Sequence, residues 1–196
     1  MSSREAAFVE SLVILVALSA AGVVHALWMR SAWSHRFDFP LDGGATYRGL
    51  RIFGDNKTVR GFMAIVPAAG AAFWLLGLVR DAGLVWLQPG LWGLRPSELL
   101  GLGLWAGFGF MAGELPNSFY KRQRGIRAGE VPARGWERTF CLIVDRLDST
   151  LAVLCAMSLI VGLHWQTWVA VMVLGPLVHL AFSGLLYAFG VKARFA

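Results

Sequence analysis

The sequence predicts an all-α membrane protein with about five transmembrane helices and two functional cytoplasmic loops. Hydrophobic residues make up 57% of the 196 positions and charged residues only 15%, which is typical of a multi-span membrane protein and not of a soluble domain. Several uncharged runs reach the roughly 18 residues that suffice to cross a bilayer. We therefore expect one membrane domain over residues 1–196.

The predicted spans follow from the positions of these runs. The first two cover Ser11 to Met29 and Gly61 to Val79, and the third covers Leu99 to Gly113. Apart from one charged cluster, the stretch from Thr139 to Val191 is apolar and long enough for two more spans, with a turn predicted at His164 to Gln166. Glycines are frequent in spans two and three, which predicts that these helices approach each other closely.

Basic residues are concentrated in the loop between spans one and two, in the loop between spans three and four, and in the C-terminal tail. The opposite side has only Arg4, Arg80 and Arg95. By the positive-inside rule, we expect both loops and the C-terminus in the cytoplasm and the N-terminus outside the cell membrane. Attraction of the loops to anionic lipid is an accompanying effect, and no nucleic-acid partner is expected.

The fourth predicted span carries Asp145, Arg146 and Asp148 in an otherwise apolar run. Ionisable groups inside a span are costly, so they usually face a protein interior or a wet cavity and mark a functional site. The two carboxylates are three residues apart and share a helix face, which suits Mg²⁺ with phosphate oxygens completing its shell. The alternative is a charge cluster that is salt-bridged at a helix end, although one carboxylate would suffice to pair Arg146.

The first basic loop contains a turn signal, Gly54-Asp55-Asn56, directly before a span that begins near Arg60. Turn amides and cations that converge at a helix N-terminus form an anion site. Lys57 and Arg60 are three residues apart, so we expect both to contact phosphate oxygens. The alternative is an ordinary cytoplasmic turn with anchoring cations.

The end of span three carries Glu114, Ser118 and Arg122 at intervals of four residues. A continued helix aligns them in one stripe, with Lys121 one residue away, although Pro116 is expected to interrupt the helix or to start a new one. A carboxylate beside a serine and two cations predicts a metal-plus-phosphate arrangement. The alternative is a basic helix that lies on anionic lipid.

Two of these elements together resemble the signature of the CTP-dependent phosphatidate cytidylyltransferases. They are Ser118-Phe119-Tyr120-Lys121-Arg122 and, after a loop, Asp145-Arg146-Leu147-Asp148-Ser149. The short chain, the five spans, the segment from Gly54 to Phe62 and Gly125-Ile126 are more similar to the smaller relatives, the CDP-archaeol synthases. Those relatives usually have aspartate at the position of Glu114 and Gln-Leu-Asp-Phe at Arg146 to Ser149, so the lipid tails stay open between acyl esters and isoprenoid ethers.

The resemblance implies an enzyme that joins CTP to a membrane lipid phosphate and releases pyrophosphate. It implies that Asp145 and Asp148 hold Mg²⁺, with Glu114 as a further ligand. It assigns catalytic roles to the same two aspartates and to Lys121 and Arg122, the phosphate clamps. The remaining nucleotide or phosphate contacts are assigned to Asp55, Asn56, Lys57, Thr58, Arg60, Ser118 and Arg146.

Two other functions stay open from the sequence alone. The first is a small transporter with an ion relay through Asp145, Arg146 and Asp148, but these charges lie at one end of the span, whereas transport sites tend towards the midplane. The second is a scaffold that only binds anionic lipid, which does not account for paired aspartates in a span. A homo-oligomeric assembly is also left open.

Overall fold

Five long helices make up most of the computed structural model, which describes residues 2–128, 130, 132 and 135–188. They are α1 (Ser3–Arg30), α2 (Val59–Asp81), α3 (Pro96–Gln123), α4 (Trp136–Ser158) and α5 (Trp165–Ala188). The connections contain two 3-10 segments, Ala32–Phe37 and Val85–Leu91, and a hairpin of β1 (Thr46–Tyr47) and β2 (Leu50–Arg51). The basic tail, with Lys192 and Arg194, lies outside the described residues.

The helices have the apolar character that the sequence predicts. By length and hydropathy, α1, α2 and α3 can each cross a membrane, and residues 165–178 of α5 form a shorter apolar helix. The all-α membrane architecture is thus confirmed, while the number of five spans stays a prediction.

The expected interruption at Pro116 is wrong, because α3 runs through it to Gln123. A proline removes one backbone hydrogen bond, and the packing of α3 against its neighbours on both sides of Pro116 keeps the helix continuous.

The core lies where all five helices meet. Fully buried side chains come from α1, α2, α3, α4 and α5, among them Ile14, Phe73, Leu102, Met157 and Val171. Many other large apolar side chains are exposed on the outer surfaces of the helices. Lipid tails are as apolar as leucine, so such surfaces are what a bilayer-embedded bundle presents.

Small residues let α3 lie close to both α2 and α4. A Cβ atom on Gly103 would lie 2.5 Å from the carbonyl oxygen of Ala69 in α2, and one on Gly113 would lie 2.8 Å from the carbonyl oxygen of Asp148 in α4. Backbones can approach this closely only where side chains are absent. The predicted close contact of spans two and three is confirmed, and the contact of α3 with α4 brings the charged residues of both helices together.

A buried carboxylate in α1 fixes the start of α5. Glu10 is 1% exposed, and its oxygens accept hydrogen bonds from the His164 amide (3.3 Å) and the Thr167 hydroxyl (2.5 Å). Free amides at a helix N-terminus favour a negative charge. Glu10 therefore caps α5 from a neighbouring helix and ties the two helices together at the end of the bundle opposite the charged cluster.

The loop between α1 and α2 folds back over the end of α3. Its hairpin turns at Arg48 and Gly49, both with positive φ (53° and 76°), as two-residue hairpins require. The loop is closed by a bridge between Pro40 and Thr58, where the Leu41 amide donates to the Lys57 carbonyl at 2.8 Å. This closure presents the residues just before α2 to the ends of α3 and α4.

Candidate active site

Asp145 and Asp148 lie one turn apart on α4 and face α3. The side-chain amide nitrogen of Asn117 donates to Asp145 Oδ1 at 2.6 Å and to Asp148 Oδ2 at 2.9 Å. The backbone amide of Ser149 donates to the other oxygen of Asp148, also at 2.6 Å. One donor atom on α3 therefore holds the two carboxylates of α4 side by side.

Two lysines complete this cluster. Lys121 Nζ donates to both carboxylate oxygens of Asp145 at 2.5 Å. Lys57, from the end of the first loop, forms an ion pair with Glu114. The Ser149 hydroxyl lies 3.2 Å from both Glu114 Oε1 and an oxygen of Asp148. The contacts thus join the first loop, α3 and α4 through Lys57, Glu114, Ser149, Asp148, Asn117, Asp145 and Lys121.

The first loop is held in shape by a buried carboxylate. The Asp42 side chain is fully buried in its contact with Arg51, and it accepts hydrogen bonds from the amides of Phe53 (2.9 Å) and Gly54 (3.1 Å). Burial by itself would raise the pKa of Asp42, but hydrogen bonds from Arg51 and from these amides outweigh it and hold the pKa far below its ordinary value. Asp42 therefore stays ionised and fixes the turn that precedes Lys57.

Replacing Asp42 by asparagine should release this turn at every pH, because the amide loses the ion pair with Arg51 and replaces one of the two acceptor oxygens by a donor. We expect hydrogen-exchange protection of the Phe53 and Gly54 amides to fall about tenfold. In the wild-type protein, protection should persist at neutral pH and be lost only as the pH falls below 3.8, the ordinary pKa. A lowered folded-state pKa stabilises the loop above that value. Loss of wild-type protection already at pH 6 would contradict this role for Asp42.

Gly54 brings the loop against Arg122, which is only 8% exposed. Gly54 has φ +89°, and a Cβ there would lie 3.3 Å from Cδ of Arg122 and 3.6 Å from its Nε. The Gln123 side chain donates to the Arg51 carbonyl at 3.3 Å, and Tyr47 packs near Phe119. The loop therefore covers the guanidinium, whose Nε is buried without a hydrogen-bond partner among the described residues.

If Arg122 has the predicted role of a phosphate clamp, substituting Gly54 by alanine should weaken nucleotide binding, because the new methyl group would shift the Arg122 side chain by a few tenths of an ångström. Gly44 is a matched control: its φ is +88°, its amide also donates to Asp42, and a Cβ there meets nothing within 4 Å. Both variants carry the strain of a non-glycine residue at positive φ. We expect only Gly54→Ala to raise KM for CTP, by about tenfold, in steady-state assays. Equal effects of the two substitutions would show that backbone strain, and not Arg122, is responsible.

Two of the predicted phosphate contacts, Arg60 and Thr58, are engaged by other parts of the chain. The Arg60 guanidinium donates to the carbonyl of Met29 at 2.7 Å and lies 3.4 Å from Asp38, so it is engaged by the end of α1. Thr58 is buried and its backbone belongs to the bridge with Pro40. Its side chain makes no capping hydrogen bond at the start of α2. These contacts stabilise the fold, and the predicted phosphate-binding role of both residues stays a prediction.

The two polar residues of the turn are also outside the carboxylate cluster. The Asp55 side chain is 78% exposed and pairs with Arg51 at 2.6 Å, and Asn56 is exposed. They lie at the surface of the loop whose far side contacts Arg122. A role in binding the ribose or base of a nucleotide is compatible with this position and stays a prediction.

Five residues near the end of α3 bear on the site, and the sequence pattern identified all of them except Asn117. Glu114, Asn117 and Lys121 all contact α4 or the loop through hydrogen bonds, and Ser118 and Arg122 are buried. The continuous helix keeps Glu114, Ser118 and Arg122 at intervals of four residues, and their shared role stays a prediction. Asn117 was not predicted, although its spacing of three and four residues from Glu114 and Lys121 is the signal that marks a shared helix face.

The carboxylate pair has the chemistry of a magnesium site. Among the described residues, no three histidine, cysteine or acidic side chains form a metal-binding group. Glu114, predicted as a third ligand, contacts Lys57 and Ser149, and its role as a ligand stays a prediction. Mg²⁺ is commonly bound through one or two carboxylates, with substrate phosphates and waters completing its shell. The side-chain amide nitrogen of Asn117 lies within hydrogen-bond distance of both Asp145 and Asp148. A cation at a similar position would contact both carboxylates, so these two residues fit the ion.

The fold and the site together define an integral membrane protein with a partly buried cluster of carboxylates and cations at one end of its helix bundle. The chain belongs to the CDP-archaeol synthase family, since the CarS-like CDP-archaeol synthase family model matches residues 35–195.

Individual relatives agree with this assignment. The chain is 35% identical to the CDP-archaeol synthase of Halobacterium salinarum over 161 residues, which covers 78% of this chain and 81% of the relative. It is 34% identical to that of Natronomonas pharaonis over 174 residues, covering 78% and 82%. A solved structure described as an intramembrane enzyme for archaeal membrane lipid biosynthesis has a similar fold, with a TM-score of 0.56, 24% identity and coverage of 86% of this chain and 90% of that one.

Proposed function

We propose that this protein transfers the cytidylyl group of CTP to the phosphate of an isoprenoid-ether glycerol lipid at the inner face of the membrane. Family membership makes the chain an enzyme of the CTP-dependent lipid cytidylyltransferase class and does not favour the transporter alternative. The lipid is taken to be of the archaeol type because the curated relatives are CDP-archaeol synthases. The positions of the basic loops support a cytoplasmic site.

The observation that carries the proposal is the convergence of Lys57 and Lys121 on carboxylates of α3 and α4. These lysines, with Arg122 and Arg146, supply positive charge next to Asp145 and Asp148 in a partly desolvated site. Both substrates carry phosphate groups and repel each other, so charge neutralisation and positioning are the main tasks of such a site. Fixed charges in a water-poor setting perform this task more effectively than solvent does.

The reaction needs no general base from the protein. A phosphate monoester has its second pKa near 6, so the lipid phosphate is mostly dianionic at neutral pH. One of its oxygens attacks the α-phosphorus of CTP, and the bond from that phosphorus to the oxygen of the β-phosphate breaks and releases pyrophosphate. When bound by Asp145 and Asp148, Mg²⁺ supplies further neutralisation of the triphosphate. Lys121 and Arg122 hold the nucleotide phosphates in line with the attacking oxygen.

The proposal is tested by incubating purified protein with CTP, Mg²⁺ and a panel of lipid phosphates. The panel contains an archaeol-type ether phosphate, a phosphatidate with acyl chains and a water-soluble glycerol phosphate. We expect release of pyrophosphate with the ether lipid and formation of a CDP-lipid. If phosphatidate is the only lipid that is turned over, the substrates are acyl lipids. The absence of turnover with every lipid phosphate would refute the proposal.

A further inference from the structure

A cavity of about 160 Å³ opens from the carboxylate cluster into the apolar interior of the helix bundle. Its apolar wall comes from several helices and includes Leu18, Phe110, Val171 and Val178. Its polar end is formed by Glu114, Asp145, Arg146 and Ser149. The three cations Lys57, Lys121 and Arg122 are not part of this lining within the described chain. Of the four basic residues of the site, Arg146 is therefore the one that lines the cavity.

Arg146 belongs to the cavity side because of its position on α4. Successive residues of a helix are rotated by about 100°, so Arg146 points away from the face on which Asp145 meets Lys121 of α3. The next turn of α4 continues this direction: Thr150 also lines the cavity and lies about 3.3 Å from where a Cβ of Gly175 in α5 would be. The guanidinium is therefore directed towards the space between α4, α5 and α1.

The Arg146 guanidinium includes a buried hydrogen-bond donor that is not satisfied by the described residues. Its Nη1 atom is buried and has no hydrogen-bond partner among the described residues. A buried donor without an acceptor is costly, and a charged one inside a membrane domain is more so. Guanidinium groups bind phosphate with paired, charge-assisted hydrogen bonds. An anionic group that enters from the cavity side would relieve this cost.

We propose that Arg146 binds the phosphate of the lipid acceptor, and that the cavity holds the part of the lipid next to that phosphate. This inference rests on the proposed function and separates Arg146 from the nucleotide contacts with which the sequence grouped it. A volume of 160 Å³ corresponds to about five water molecules, which accommodates a glycerol unit and the first chain carbons. The rest of the chains then lies in the bilayer. Lys121, which contacts Asp145, and Arg122, which the first loop covers, bind CTP.

The test is a separate determination of KM for the lipid phosphate and for CTP in mixed micelles. Arg146→Gln should raise KM for the lipid about ten- to a hundredfold, the range expected for losing a charge-assisted hydrogen bond, and leave KM for CTP within about twofold. Arg122→Gln is the matched substitution on the loop side and should raise KM for CTP instead. Arg146→Lys should recover part of the lipid affinity because it keeps the charge.

A second variant and a binding measurement make the test independent of turnover. Gly22 lines the same cavity and has open space where a Cβ would be, so Gly22→Leu should also raise KM for the lipid alone. In thermal-unfolding assays without CTP, the ether-lipid phosphate should raise Tm of the wild-type protein and not that of Arg146→Gln, whereas CTP with Mg²⁺ should raise both. A selective loss of CTP binding in Arg146→Gln, with turnover of the wild-type protein intact, would overturn this inference and leave the proposed function standing.

Discussion

Replacing Asp148 by asparagine is expected to reduce the turnover number for cytidylyl transfer about a thousandfold, the upper range for removal of one electrostatic stabiliser from an active site. The carboxylate lies beside Asp145 and shares the Asn117 donor with it. An amide in its place keeps the shape but loses the charge, so the pair no longer suits a divalent cation. The rate is measured as pyrophosphate release at saturating CTP and lipid.

The matched control for this substitution is Asp81→Asn at the far end of α2. Asp81 is half-exposed and paired with Arg80, and it lies at the opposite end of the bundle from Lys57. Its loss should leave the rate unchanged. Thermal unfolding in detergent should show that both variants are folded. If folded Asp148→Asn retains more than about a tenth of the wild-type rate, far above the loss expected for such a group, Asp148 is not part of the catalytic machinery.

Substituting Gly113 by alanine should also abolish most activity, although residue 113 carries no functional group. The new Cβ would lie 2.3 Å from Cβ of Ala152 and 2.8 Å from the carbonyl oxygen of Asp148. Either α3 and α4 move apart or the helices strain, at a cost of about 1–3 kcal/mol for overpacking. A displacement of about 1 Å in a positioned group can reduce a rate about a hundredfold. We therefore expect a lower Tm and a loss of turnover of that order.

Gly101 provides the comparison on the same helix. A Cβ at Gly101 meets nothing within 4 Å, so Gly101→Ala introduces the same methyl group into α3 without a contact. Because alanine favours helices over glycine by about 1 kcal/mol, this variant should be as stable as the wild-type protein or slightly more so, with full activity. The same activity in both alanine variants would mean that the spacing of α3 and α4 does not position the carboxylates.

Much of the site was predictable because charge inside an apolar run is informative by itself. Asp145 and Asp148 were identified from their cost in a span, and Lys57 and Lys121 were predicted beside them. Asn117 was missed because an uncharged amide at the end of a helix gives no comparable signal. The rotation of α3, which turns Asn117 and Lys121 towards α4, depends on the close contact at Gly113. Such a contact requires both helices to be in place.

Arg60 shows what tertiary packing adds to a local pattern. A cation in the first turn of a helix, next to a glycine turn, is typical of an anion site. In the folded chain the last turn of α1 lies beside Arg60, and the carbonyl of Met29 accepts a hydrogen bond from its guanidinium. Carbonyl groups at a helix C-terminus attract cations. No local pattern shows which helix end will be adjacent, so the competition between a phosphate and a carbonyl is decided only by tertiary packing.

The amino-acid sequence alone determined that this protein is a helical membrane protein and predicted a functional role for its acidic pair in α4, because apolar length and the cost of buried charge are properties of local composition. The tertiary structure decided how the charged residues are divided between two sides of the site. Arg122 is covered by the first loop, and Arg146 faces a cavity between helices that are distant in sequence. That division depends on helix rotation and on glycine contacts, which exist only after the helices have packed.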